Sequence, residues 1–134
     1  MNLFLVGLLA AVISGHAPSV TAHSSSYGKV LFDGRGFVLY AFTRDHRRSA
    51  CYGACAKRWP PYYAPKGSLT VGAGIKRSLL STVRRKNGRR QVTFAGRPLY
   101  HYVGDRSRGQ ILCQDVYEYG GRWLIVRPSG RLVR

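Results

Sequence analysis

Apolar residues recur along this chain in short runs broken by Gly, Pro, Asn and charge, a pattern of brief strands and turns rather than of long helices. The segments "VLF" from Val30 and "FVLYAF" from Phe37 flank the turn-forming "DGRG", which predicts a hairpin. Side chains alternate along a strand, so Tyr40 and Phe42 share one face and Leu39 and Ala41 the other. Both faces are apolar, and the strand is therefore expected to be covered on each side. The piece "SACYGACAKRW" predicts a short helical segment carrying Cys51 and Cys55, stopped after Trp59 by Pro60 and Pro61. A β-prone "YYA" follows, then a connection marked by Gly67, Gly72 and Gly74, with "IKRSLL" as a single turn. "STVRR" and "RQVTF" around Asn87-Gly88 give a second hairpin, "LYHYV" a further strand, and "VYEYGGRWLIV" a turn and a terminal strand.

Two of these segments share one motif. Tyr40, Phe42 and Asp45 in "YAFTRD" match Tyr100, Tyr102 and Asp105 in "YHYVGD" at a constant spacing of 60. Phe32 and Phe94 open the copies at a spacing of 62, which places a connection two residues shorter in the second copy. Trp59 and Trp123, 64 apart, correspond if loop lengths diverge further. A lone hairpin is marginal in water, so the copies are expected to bury a shared apolar face. The predicted fold is mainly β: compact antiparallel strands from two divergent repeat units with pseudo-twofold organisation and one short helical segment bearing C-x-x-x-C. Whether it closes as a barrel or stays an open sheet is left undecided by the pattern.

The run Leu3 to Ile13 is uncharged and mostly large and apolar, too short to span a bilayer but long enough for the core of a signal peptide. Val20 and Ala22 supply the small residues expected before a cleavage point, which predicts residues 1–22 as signal peptide and a mature start near His23. No Cys stands at that point, so lipid anchoring there is not expected. Residues 23–29 are expected to be a flexible lead, 30–127 a single domain with units at about 30–65 and 81–127, and 128–134 a basic tail held weakly by its Leu-Val pair.

Seventeen Arg and five Lys face five acids, for a formal net charge of +17. That exceeds what solubility alone asks of a small domain and concentrates polyanions at low salt. The expected partner is an anionic polymer, an anionic membrane surface or an acidic protein. Specific nucleic-acid recognition is not expected, since neither a reader helix nor zinc-finger spacing is present. Candidate anion contacts are Arg84, Arg85, Lys86, Arg89 and Arg90 around the Asn-Gly hairpin, with Arg106 and Arg108 in the later loop. A monomer or weak dimer is expected.

Cys51, Cys55 and Cys113 form an odd set, so at most one intrachain disulfide can form, within C-x-x-x-C or from either of its members to Cys113. The alternative is a thiol-dependent envelope redox protein using these three. Against it, the spacing is not the C-x-x-C of exchange proteins. Neither a cofactor nor a metal is expected, because His46 and His101 stand at no recognised ligand spacing to the thiols. Asp45 and Asp105 could be a general acid and base, but three residues past a strand they are better placed to accept backbone N–H groups and fix a turn. His101 lies between two motif tyrosines and points away from both rings. No nucleophile elbow, zinc helix, phosphate loop or dinucleotide fingerprint occurs, and no catalytic residue is assigned.

Taken together, "LYAFTRD" with "SACYGACAKRWPP", "GRRQVTFAGRPLYHYVGD" and "GGRWLIV" resemble a family of bacterial secreted or lipoprotein repeats of unknown function, marked by Tyr-x-aromatic-x-x-Asp. The resemblance covers nearly all of the expected mature chain and matches Tyr40, Cys51, Cys55, Trp59, Tyr100 and Trp123 in the family's order. It implies a fold maintained by two motif copies, working outside the cytoplasm, with no catalytic residues or substrate attached. Many members carry a lipobox Cys that this chain lacks.

Overall fold

The computed structural model describes residues 17–134, and the apolar run of the expected signal peptide lies outside the described residues. Eight strands, β1 (Val20–Ser25), β2 (Gly28–Asp33), β3 (Tyr40–Phe42), β4 (Leu80–Arg84), β5 (Arg90–Phe94), β6 (Arg97–Pro98), β7 (Val116–Glu118) and β8 (Gly121–Ile125), are joined by the short helix α1 (Ala54–Arg58) and a 3-10 turn at Arg77–Leu79. All ladders are antiparallel: a β1-β2 hairpin and two three-stranded sheets, β3-β8-β7 and β4-β5-β6. Single bridges, among them Phe32 to Val38, Tyr40 to Tyr100 and Tyr63 to Gln91, tie these pieces together. The mainly antiparallel β fold follows from the short alternating runs, and the one short helix bears the C-x-x-x-C disulfide through Cys55, with Cys51 in the loop just before it.

β3 lies between two cores. Tyr40 and Phe42 enter one with Val30, Phe32, Trp59, Tyr100 and Trp123. Leu39 and Ala41 enter the other with Leu31, Val92, Phe94 and Leu99. Alternation along a short apolar strand thus feeds both sides at once. Gly53 precedes α1 with φ 58°, a left-handed conformation that glycine adopts without steric cost. The Asn-Gly hairpin forms where expected, closed by Gly88 N–H to the Arg85 carbonyl with Gly88 at φ 81°.

A pseudo-twofold relation passes between Tyr40 and Tyr100, whose backbones exchange two N–H···O bonds of 2.9 Å. Around it, Leu31 N–H to Val126 O repeats as Val92 N–H to Tyr62 O, and Leu39 N–H to Leu31 O repeats as Leu99 N–H to Val92 O. This pairing corrects the alignment of the repeats. Phe32 is equivalent to Thr93 and Asp33 to Phe94, so the second connection is one residue shorter, not two. Phe94 follows Val92 by two and shares its face, which apolar matching of Phe32 to Phe94 overlooked.

Two boundary expectations also change. Residues 23–29 are no flexible lead: Val20–Ser25 pairs along its length with Gly28–Asp33, because the small Ser-rich stretch can still satisfy its backbone in a ladder. A cut between Ala22 and His23 would divide β1 and remove Val20, which is fully buried. The basic tail is pinned rather than weakly held, since Val133 is buried and its N–H bonds to Ile125 O while Leu132 bridges Val126.

Candidate functional site

The two motif copies interlock. Tyr40 of the first donates its hydroxyl to Asp105 Oδ2 of the second at 2.8 Å, and Tyr100 of the second donates to Asp45 Oδ2 of the first at 2.7 Å. Each carboxylate also receives a backbone N–H downstream, Asp45 from Ala50 and Asp105 from Leu112. The aspartates therefore fix their turns, and in addition each terminates the other repeat's tyrosine. A buried phenol needs an acceptor, and a buried carboxylate needs donors; the exchange meets both needs across the dyad. Burial pushes Asp45 up to about 6 despite the opposing hydrogen bonds from Tyr100 and Ala50, and it raises Asp105 in the same direction. It raises both tyrosines too, further aided by their carboxylate partners.

The remaining motif aromatics build a column. Phe42 stacks on Trp123 at 4.1 Å, Trp123 on Trp59 at 4.1 Å, and Trp59 on Tyr102 at 4.9 Å with a 38° tilt. Tyr40 meets Trp59 edge-on and Tyr100 meets Trp123 the same way. Each repeat's second aromatic thus covers the other repeat's tryptophan, and Trp59 and Trp123 correspond across the dyad. Offset-stacked and edge-to-face rings of this kind add about 0.5–1.5 kcal/mol per pair beyond the area they bury.

Of the disulfide alternatives, the structure has Cys51 bonded to Cys55 and Cys113 free and buried. Ala50 and Leu112 make equivalent bonds to the motif aspartates, so Cys113 stands where Cys51 stands and lacks a partner from a matching helix. Burial pushes its thiol up, away from the thiolate that exchange chemistry uses.

Arg85 does not belong to the anion-contact set. It is 4% exposed; Nη1 donates to Ser49 Oγ and Gln91 Oε1, and Nη2 to the Cys51 carbonyl. The turn points this one side chain inward, under Tyr52, whose ring lies 4.3 Å from the guanidinium carbon. Arg84, Lys86, Arg89 and Arg90 are exposed, as are Arg106 and Arg108 on their separate loop. Arg84 lies directly opposite Arg90, Lys86 sits over Tyr52, and the Arg89 guanidinium is 3.5 Å from the Tyr63 ring centre.

A polar pair that the sequence reading did not single out lies on the opposite face of the second motif. His101 Nε2 is 2.8 Å from Asp33 Oδ2, while Asp33 Oδ1 accepts the N–H groups of Arg35 and Phe37. Burial pushes Asp33 up, but the bonds from His101 and these two amides outweigh it and hold the carboxyl below its ordinary value. The sequence signal was Asp33-Gly34, which reads equally well as a plain turn. Only the register of the repeats brings Asp33 to His101.

Two interlocked copies of one β unit, with reciprocal Tyr-Asp bonds and a shared aromatic column, define the chain as a duplicated-repeat domain. A family described as a secreted repeat of unknown function matches residues 21–62 and 81–127, one copy for each structural half, and the chain belongs to this family. It is accordingly a secreted, cell-envelope repeat protein. No curated protein and no solved structure matches the chain.

Proposed function

We propose that the turn end of the β4-β5 hairpin is a contact face for an anionic polymer of the cell envelope. The observation that carries this reading is the direct pairing of Arg84 with Arg90 across the two strands, with no carboxylate between them. Like charges placed opposite each other destabilise a sheet, and an anionic ligand relieves that cost. Lys86 and Arg89, held over Tyr52 and Tyr63, extend the same face.

The acids are committed elsewhere. Asp33 bonds His101, Asp45 bonds Tyr100, Asp105 bonds Tyr40, Asp115 pairs with Arg122, and Glu118 pairs with Arg58. The hairpin cations are consequently left to counterions, whose release on polymer binding favours association at low salt. Arg forks add bidentate contacts to carboxylate or phosphate.

The test is a salt titration of binding to DNA, anionic vesicles and a wall polymer, comparing wild type with the triple variant Arg84→Gln, Arg89→Gln and Arg90→Gln. A wall polymer should bind most tightly, and the variant should lower both affinity and the steepness of its salt dependence. Equal affinity and slope in the variant would remove the hairpin from the interface.

A further inference from the structure

The pseudo-twofold relation sets Asp33 and His101 at the positions that Phe94 and Ala41 occupy in the other half. There the apolar pair is sealed in the core, 0% and 1% exposed. An acid and a base have taken the place of core residues on one side alone; the turn accounts for Asp33 Oδ1, which accepts the Arg35 and Phe37 amides, but not for His101, since a buried ionic pair is commonly no better for stability than an apolar pair of similar size. The Asp33 and His101 side opens instead to cavities of about 460 and 340 Å³, each lined by both His101 and Arg35. The larger is within the usual range for a small-molecule site. Besides Asp33, Arg35 and His101 it is lined by the proline and tyrosine run Pro61, Tyr62, Tyr63 and Pro65 and by residues 17–19.

The chemistry of that corner narrows the ligand. Asp33 Oδ1 already accepts two backbone amides and Oδ2 faces Nε2 of His101, so the pairing selects the Nε2–H tautomer, in which the neutral ring keeps Nδ1 as an acceptor. Arg35 is 75% exposed and approaches Asp33 only to 3.6 Å, which leaves guanidinium donors for a ligand. With Asp33 fixed beside it, a singly charged carboxylate group is accommodated better than a doubly charged phosphate.

We propose that this corner binds a hydroxy acid of the kind a uronic sugar presents. Arg35 takes its carboxylate, His101 Nδ1 accepts a neighbouring hydroxyl, and the ring lies along the proline and tyrosine wall. Asp33 is the positioning residue that fixes the imidazole tautomer.

The experiment titrates the exported protein at low ionic strength with trigalacturonate, neutral maltotriose and tripolyphosphate, read by calorimetry. Trigalacturonate should bind at least roughly tenfold more tightly than either comparator, as one charge-assisted bond allows. Arg35→Gln should weaken it by a similar factor. So should the paired change Asp33→Phe with His101→Ala, which copies the residues of the other half at the cost of the two amide bonds that Asp33 accepts. The hairpin triple variant should change this affinity less than about twofold, so failure of the hairpin reading and failure of this one are separable. Absence of trigalacturonate binding, equal binding of tripolyphosphate or maltotriose, or full affinity in Arg35→Gln would overturn the proposal. Should the paired variant fail to fold, the exposed Arg35→Gln decides.

Discussion

The two halves of this molecule share a frame and differ in what fills it. Both halves keep the tyrosine, the second aromatic, the aspartate and the tryptophan, and every one of these reaches across the dyad or stacks beside it. Where the halves diverge, equivalent positions carry different chemistry. The first half closes Cys51 onto Cys55 and the second leaves Cys113 unpaired. Phe94 and Ala41 are sealed in the core, whereas their equivalents Asp33 and His101 pair across the dyad beside open cavities. Positions that hold two copies together are constrained twice, once from each partner. Positions outside the repeated motif need not match their counterparts, and there each half has taken its own chemistry.

The shared frame is where a substitution should do most damage. Trp123→Ala removes the ring between Phe42 and Trp59 and leaves a cavity in a close-packed column, for a loss of about 3–5 kcal/mol in a denaturant titration. A loss comparable to an exposed substitution would show that the column is not what joins the halves.

The next effect separates the aspartates by pH. Asp45 is raised from 3.8 to about 6 in the folded chain, so its contribution to stability is fully present below its unfolded value and is lost as pH rises through about 6. Relative to Asp45→Asn, wild type should therefore lose about 2 kcal/mol between pH 4 and 7. Parallel curves for the two proteins would mean that Asp45 titrates alike folded and unfolded.

The smallest effect sharpens the comparison most. Tyr40→Phe and Tyr100→Phe are equivalent by the pseudo-symmetry, yet their surroundings differ. Tyr100 bonds Ser49, itself held by Arg85, so Asp45 keeps polar neighbours when the phenol is lost. Among the described residues Asp105 accepts side-chain hydrogen bonds from Tyr40 and the Leu112 amide alone. Tyr40→Phe should cost about 1–2 kcal/mol and Tyr100→Phe about half that, measured as shifts of the unfolding midpoint. The reverse order would place the stronger coupling on the Asp45 side.

Much of the fold was legible in the sequence because its signals are local. Alternation put Tyr40 and Phe42 on one face, Asn87-Gly88 closed a hairpin, Pro60 ended α1, and a fixed spacing exposed the motif copies. The same local logic misplaced Ser-rich β1, whose order comes from pairing with β2, and it set Arg85 among its exposed neighbours although the turn directs it inward.

What the chain determined by itself is therefore the kind of element at each place, the duplication and the excess of positive charge, all of which depend on neighbours in sequence. Only the tertiary structure decided who partners whom: Tyr40 with Asp105, Tyr100 with Asp45, Cys51 with Cys55, and Asp33 with His101. Three of those partnerships cross the dyad between residues far apart along the chain, where no periodicity or spacing specifies a hydrogen bond. They exist because two aromatic units bury each other and, in doing so, oblige every polar group carried inside to find its partner there.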